Sequence, residues 1–137
     1  MINLRNFTLL LTSIFMLALA GCSKDDDDDV SPNIAMLTAG EWKGSAVFSN
    51  GVDITKEVEE KSGFVWQNFT TVFNRDGSYV ESYDGDTIDE GVWVYENDER
   101  VIKFNSGTTN EYKVVISKLD EDELSYLQGG LELMFTR

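Results

Sequence analysis

Residues 64–95 read FVWQNFTTVFNRDGSYVESYDGDTIDEGVWVY, and this stretch decides the fold. It contains short runs rich in aromatic and β-branched residues, which favour β-strands. The runs span residues 64–74, 78–83 and 87–95. The turn dipeptides Asp76-Gly77 and Asp84-Gly85 separate them. Because such tight links join antiparallel neighbours, the stretch predicts consecutive β-hairpins.

The same alternation of runs and turns extends in both directions from this stretch. Residues 41–49 read as a first strand, whose predicted inner face is formed by Trp42, Gly44, Ala46 and Phe48. Further along the chain, Asn, Asp and Gly turns separate alternating runs at residues 100–105, 110–119, 123–128 and 131–137. No helical run is long enough for a parallel crossover. The sequence therefore predicts an all-β fold, an antiparallel up-and-down meander of about eight strands.

The two ends of this meander are predicted to meet. An open meander leaves two unpaired edges, and closing it into a barrel removes both. The last run would then pair with the first, so that Trp42 and Phe135 share one core. Residues 34–40 are expected to form a helical turn over one end of the barrel. Residues 53–63 fit either a charged edge strand or an exposed helical turn.

The N-terminal segment has the layout of a secretory signal peptide. Arg5 precedes the apolar run Phe7–Ala20, which at about 14 residues is shorter than the roughly 20 that a membrane-spanning helix needs. The run ends in Leu19-Ala20-Gly21-Cys22, which resembles the bacterial lipobox. The resemblance implies removal of residues 1–21 and lipidation of Cys22 by a diacylglyceryl thioether and an N-acyl chain such as palmitate. Two or more acyl chains hold a protein stably on a membrane.

An acidic segment follows the cysteine. Residues 22–36 are predicted to be a flexible tether, because the five aspartates at positions 25–29 repel one another and favour an extended chain. Its first residues resemble the export signal of Bacteroidetes lipoproteins, and the positions that carry the resemblance are Lys24, Asp25, Asp26 and Asp27. The resemblance implies a lipid-anchored protein of the outer membrane, exposed on the cell surface. Attachment to the periplasmic leaflet is the alternative.

The composition excludes several kinds of chemistry. The chain has no histidine, and its single cysteine is assigned to the lipid. A histidine-based triad, a thiol nucleophile, a disulfide and a zinc site of Cys or His are therefore excluded. We expect no enzymatic activity, no metal and no cofactor. The formal net charge of −14 also argues against nucleic acid as a partner.

Short motifs are spread over residues 37–137, nearly the whole mature domain. They are LTAGEW at 37–42, FNRDGSY at 73–79, GVW at 91–93, YKVVI at 112–116 and LMFTR at 133–137. Together they resemble the lipocalin-like domain of Bacteroidetes lipoproteins. The resemblance implies a small lipocalin-like barrel formed by residues 37–137. It leaves the function open, since one barrel fold serves many functions.

The predicted inner faces supply candidates for lining a ligand pocket. They are Trp42, Phe69, Trp93, Tyr112, Tyr126 and Phe135. A small barrel also fills its interior with side chains, so a mostly packed core with a shallow pocket at one mouth is the competing interpretation. Glu81 and Glu111 share faces with aromatic residues and are candidate polar anchors, although solvent exposure explains them as well.

One acidic turn carries a candidate modification site. Residues 84–90 contain four carboxylates, but their spacing departs from that of a calcium-binding loop, so a solvated hairpin turn is favoured. Within this turn, Asp86-Thr87-Ile88 resembles the Asp-Ser/Thr-apolar motif of Bacteroidetes O-glycosylation. Thr87 is therefore a candidate glycosylation site.

Two functions remain open from the sequence. The first is a lipid-anchored envelope protein whose barrel binds a small apolar or amphipathic ligand. The second is an accessory module with a packed barrel that contacts a protein or a glycan in an outer-membrane complex.

Overall fold

Eight antiparallel strands close into a barrel in the computed structural model, which describes residues 30–137. Cys22, Lys24 and the aspartates Asp25, Asp26 and Asp27 lie outside the described residues. Residues 31–137 form one compact unit. The strands are β1 (Glu41–Ser49), β2 (Val52–Asp53), β3 (Phe69–Phe73), β4 (Ser78–Tyr83), β5 (Asp86–Glu96), β6 (Val101–Phe104), β7 (Tyr112–Leu119), β8 (Glu123–Gln128) and β9 (Leu131–Thr136).

The strands follow one another around the barrel almost in chain order. The circle runs β1, β3, β4, β5, β6, β7, β8, β9, and β9 pairs with β1 to close it. β2 lies outside the circle and pairs only with the last two residues of β1. The predicted meander, closed into a barrel of eight strands, is confirmed. This order places β4 and β8 on opposite sides of the lumen.

Within the described residues, short helices flank the barrel. They are α1 (Pro32–Leu37), α2 (Thr55–Ser62) and a 3₁₀ helix (Trp66–Asn68). Residues 53–63 are therefore mainly helical, and the edge strand is limited to β2. α1 begins within residues 22–36, the segment predicted to be a flexible tether. The strand predicted from residue 64 begins only at Phe69, because the 3₁₀ helix precedes it.

A bulge in β1 changes which residues face the lumen. The pairing of β1 with β9 shifts between Gly44 and Ala46. An extra residue at a bulge breaks the alternation of a strand. As a result, Val47 is buried and Phe48 is only half-buried. The prediction that Phe48 continues the inner face of Trp42 and Gly44 is wrong for this reason.

Trp66 packs directly on the backbone of β1. A side-chain carbon added at Gly44 would lie 2.1 Å from the backbone oxygen of Trp66. The indole nitrogen of Trp66 donates a hydrogen bond of 3.1 Å to the carbonyl of Met134 on β9. Gly44 is therefore required at this position by the close approach of Trp66, and it lies opposite Phe135 in the register.

α1 seals one end of the barrel. Leu37 is fully buried, and its carbonyl accepts a hydrogen bond of 2.9 Å from the indole of Trp42. The guanidinium carbon of Arg137 lies 3.7 Å from the centre of the Trp42 ring, a cation–π contact. Arg137 also donates to the carbonyl of Met36 in α1. Trp42 and Phe135 are both fully buried in the core, as expected.

Candidate functional site

We call the end of the barrel opposite α1 the mouth. Its apolar side chains are partly exposed and belong to the segment after α2 and to β4, β7 and β9: Phe64, Tyr83, Tyr112, Leu131 and Leu133. Phe64 stacks on Tyr83 with ring centres 4.5 Å apart. The Tyr83 hydroxyl accepts a hydrogen bond of 3.0 Å from the Val65 amide, which fixes this side of the mouth.

Polar side chains lie side by side on three adjacent strands near the mouth, and the one on β5 is exposed at the rim. Thr71 on β3 pairs with Glu81 on β4, and Glu81 pairs with Asp89 on β5. Tyr79 and Phe73, each two residues away along a strand from one of these positions, are fully buried in the core. Because alternate residues of a strand share a face, Thr71 and Glu81 point into the lumen. Thr71 is 1% exposed.

The Thr71 hydroxyl is buried without a partner. Its oxygen is the one buried side-chain oxygen or nitrogen of residues 30–137 that makes no hydrogen bond. Leaving such a group unpaired costs about 1–3 kcal/mol. Buried polar groups in native proteins almost always have a partner, so this exception marks the site as unusual.

Glu81 is the second unpaired group. Within the described residues its carboxyl makes no hydrogen bond or ion pair. Burial raises the pKa of Glu81 to about 7, and the nearby carboxylate of Asp89 adds to the rise. Desolvation disfavours the charged form of an acid, which is the physical cause of the first effect. Near neutral pH the carboxyl is therefore divided between its neutral and charged forms.

Phenols on the far side of the lumen face this carboxyl. Tyr112 on β7 stacks on Phe104 at 4.5 Å, and Tyr126 on β8 packs against Phe135 at 5.1 Å. Burial raises the pKa of both phenols, and the carboxylate of Glu81 raises them further. Tyr126 is 3% exposed, and its hydroxyl makes no hydrogen bond to the described residues; unlike the Thr71 oxygen, this oxygen is not completely buried. Glu81 and Tyr126 thus approach one another from opposite strands.

Asp89 is held at the rim by a chain of hydrogen bonds. Asn105 donates to the Tyr79 hydroxyl at 2.9 Å, and that hydroxyl donates to Asp89 at 2.9 Å. Burial raises the pKa of Tyr79 to about 12, and Asp89 contributes to the rise. A side-chain carbon at Gly91 would lie 2.0 Å from the amide oxygen of Asn105, so glycine makes room for the chain. We call Thr71, Glu81, Asp89, Tyr112 and Tyr126 the lumen cluster.

The sequence-predicted pocket residues fall into two groups. Trp42, Phe69, Trp93 and Phe135 are 9% exposed or less and form the packed core. Tyr112 and Tyr126 belong to the lumen cluster, and Tyr126, at 3% exposed, is also part of the packed core. The packing explains why any pocket is confined to the mouth, since aromatic rings fill the barrel below it.

The two candidate polar anchors have different positions. Glu81 lies in the lumen, whereas Glu111 accepts a hydrogen bond from the Gly107 amide and pairs with Lys103 at 3.2 Å. Lys103 also pairs with Glu96 at 2.7 Å. Glu111 is already paired with Lys103, whereas Glu81 is partly buried beside the lumen, so only Glu81 remains a candidate polar anchor.

Sequence reasoning missed Thr71 as a member of the site. Its position between Phe69 and Phe73 on the inner face of one strand was the available signal. Thr87 is exposed near the start of β5, and its glycosylation stays a prediction. The described residues hold no group of three or more acidic side chains suited to a metal ion. They also include no helix long and apolar enough to cross a membrane.

Depressions on the outer surface lie apart from the lumen cluster. One of about 620 Å³ is lined by the β7–β8 turn and the end of β9. Another of about 480 Å³ lies between α2 and the segment that follows it. Neither contains a buried polar group without a partner, so the lumen cluster is the stronger candidate site.

Comparison with solved structures identifies the type of barrel. A DUF4847 family protein from Bacteroides vulgatus superposes with a TM-score of 0.53 at 17% identity, covering 74% of this chain and 94% of that one. A lipocalin-like protein from Bacteroides uniformis gives a TM-score of 0.52 at 13% identity, covering 73% and 97%. The fold is lipocalin-like. No protein-family model and no curated protein matches the sequence.

Proposed function

We propose that this chain is a lipid-anchored protein of the bacterial outer membrane whose lipocalin-like barrel binds a small amphipathic ligand at its mouth. Cys22 would carry the lipid, and the acidic residues that follow it would direct the protein to the cell surface, with the periplasmic leaflet as the alternative. The role is binding rather than catalysis. No metal or cofactor is part of it.

The lumen cluster carries the ligand-binding part of this proposal. Unpaired polar groups in a low-dielectric interior are costly unless another group satisfies them. Thr71 provides one such group, and the Glu81 carboxyl and the Tyr126 hydroxyl, which make no hydrogen bond to the described residues, lie near it among half-buried apolar side chains. Sites for small molecules combine an apolar lining with a few convergent polar groups in this way. An amphipathic ligand would place its polar head in the cluster and its apolar part against the mouth.

A fluorescence titration tests this function. Trp66 stacks on Phe69 at 5.0 Å and lies 6.4 Å from Phe64 at the mouth, so it should respond to a ligand there. We expect medium-chain amphiphiles to quench or blue-shift the tryptophan emission with saturation. Tyr112→Ala should weaken the effect by removing apolar lining. An unchanged spectrum with every member of a panel of alcohols, amines, acids and aromatic compounds would contradict ligand binding.

The outer surface offers a specific feature for the second function, an accessory module that contacts an envelope protein or glycan. Val101, Val115 and Leu127 are directly paired across β6, β7 and β8. Val115 is 48% and Leu127 45% exposed. Capture of an envelope component that is lost in Val115→Lys, together with silence in the ligand panel, would favour this second function.

A further inference from the structure

We propose that the lumen cluster recognises a protonated amine, with Glu81 as the counter-ion and the Tyr126 hydroxyl as a hydrogen-bond partner for the head group. This inference rests on the proposed ligand-binding function of the mouth. It specifies the chemical class of the ligand's polar head: a primary ammonium group attached to an apolar chain.

The charge of the lumen favours a cation. The acidic groups there are Glu81 and Asp89, and the charged group that shifts the pKa of Glu81 is Asp89 rather than any lysine or arginine. The ion pairs of the described residues lie elsewhere. Lys103 and Lys113, for example, both pair with Glu96. A carboxylate or phosphate head would add a further negative charge to a desolvated acidic site, which like-charge repulsion opposes. An ammonium head would instead neutralise it.

The hydrogen-bonding groups match the same chemistry. An ammonium group has three donors and no acceptor. The lumen presents acceptor oxygens from the Glu81 carboxylate and from the hydroxyls of Tyr126 and Tyr112, none of which has a partner among the described residues. The unpartnered hydroxyl of Thr71, the cross-strand neighbour of Glu81, is 1% exposed and can bond to that carboxyl once it is charged and held by the amine.

The aromatic lining adds a third favourable contribution. Tyr112 and Phe104 stack at 4.5 Å, and their neighbours Tyr79 and Tyr126 complete a wall of rings around the carboxyl. The faces of such rings attract cations, and this attraction grows when the cation is desolvated. An alcohol of the same chain length would gain neither this contribution nor the pairing with Glu81.

The pH dependence follows from the groups that face Glu81. They are Asp89 on β5, Tyr79 on β4, Tyr112 on β7 and Tyr126 on β8, and the phenols stay neutral because burial raises the pKa of each. With a pKa of about 7, Glu81 is mostly neutral at pH 6 and mostly charged at pH 8. If the charged form binds the amine, the apparent affinity should rise about tenfold over this interval. A primary amine stays protonated throughout, since its pKa is about 10.4.

Calorimetric titration of the purified full chain with hexylamine, hexanol and hexanoate tests the inference. At pH 8 we expect hexylamine to bind at least tenfold more tightly than the other two compounds. Glu81→Gln should remove this preference, because glutamine keeps the shape of the side chain but cannot carry the negative charge that pairs with an ammonium group. The matched control is Glu90→Gln, which changes an exposed glutamate on the outer face of β5. Tyr126→Phe keeps the ring but removes the hydroxyl, and it should weaken the binding of hexylamine several-fold.

The outcomes separate this inference from the function on which it rests. Recognition of an amine is supported if hexylamine binds selectively, binds more tightly at pH 8 than at pH 6 and loses this binding in Glu81→Gln. If hexanol or hexanoate binds as tightly as hexylamine or more tightly, recognition of an amine is overturned, but a ligand site at the mouth is supported. If all three compounds fail to bind, both the ligand site and the amine are overturned.

Discussion

Replacing Thr71 with valine should make the protein more stable. Valine keeps the branched shape of threonine and exchanges the hydroxyl for a methyl group. The hydroxyl is fully buried and unpaired, so no hydrogen bond is lost. Removing an unsatisfied buried group recovers its desolvation penalty of about 1–3 kcal/mol. The added methyl bulk in a packed core opposes part of that gain, and we expect the free energy of unfolding to rise by about 1–2 kcal/mol.

The melting temperature gives the most direct measurement. For a domain of about 100 residues, 1 kcal/mol corresponds to roughly 4–8 °C. Circular dichroism during heating, and urea unfolding with an unchanged slope, should both report the gain. Thr70→Val is the matched control, because Thr70 is the neighbouring half-buried residue on the outer face of β3. We expect the control to change stability by less than about 0.5 kcal/mol.

The result that would refute the reasoning is a loss of stability in Thr71→Val that Thr70→Val does not share. Such a loss would mean that the Thr71 hydroxyl has a stabilising partner. A gain in stability accompanied by weaker hexylamine binding would instead identify the hydroxyl as a group that is unfavourable in the free barrel and useful in the complex. This is the stability cost expected of a binding site built in a protein core.

The remaining predictions concern the core, the half-buried carboxyl of Glu81 and the N-terminus. Gly44→Ala should lower the free energy of unfolding by about 2 kcal/mol or more, measured in urea, because its new carbon meets the Trp66 backbone at 2.1 Å. The folded-state pKa of Glu81 is raised from 4.5 to about 7, so its contribution to stability is full below pH 4.5 and lost as pH rises through 7. Glu81→Gln should therefore be more stable relative to the natural chain at pH 8 than at pH 4.5, and a constant difference would contradict the burial of this carboxyl. Cys22→Ala should abolish labelling by radioactive palmitate and release the protein from membranes or leave the precursor uncleaved; a labelled, processed variant would exclude the lipobox. Alanines at positions 25–29 should protect the protein from protease added to intact cells, and unchanged cleavage would exclude the export signal.

Much of the fold could be predicted because its determinants are local. β4 begins directly after the turn Asp76-Gly77, and β8 ends directly before the turn Gly129-Gly130. A hairpin turn fixes the register of the strands that it joins. The bulge in β1 could not be predicted in this way. It depends on how β1 pairs with β9 at the other end of the chain, and it moves Val47 into the core in place of Phe48.

The sequence by itself determined the eight strands of the barrel, most of the turns between them and the absence of histidine and of a second cysteine, because these follow from residue identity and from neighbours along the chain. It also supplies the prediction that Cys22 carries a lipid. The tertiary structure decided which polar residues meet. Thr71 and Glu81 are brought together by the register of β3 and β4, and Tyr126 faces them because closure places β8 across the lumen from β4. The unusual pKa of Glu81 also depends on this closure, since a carboxyl on an open hairpin would remain in water.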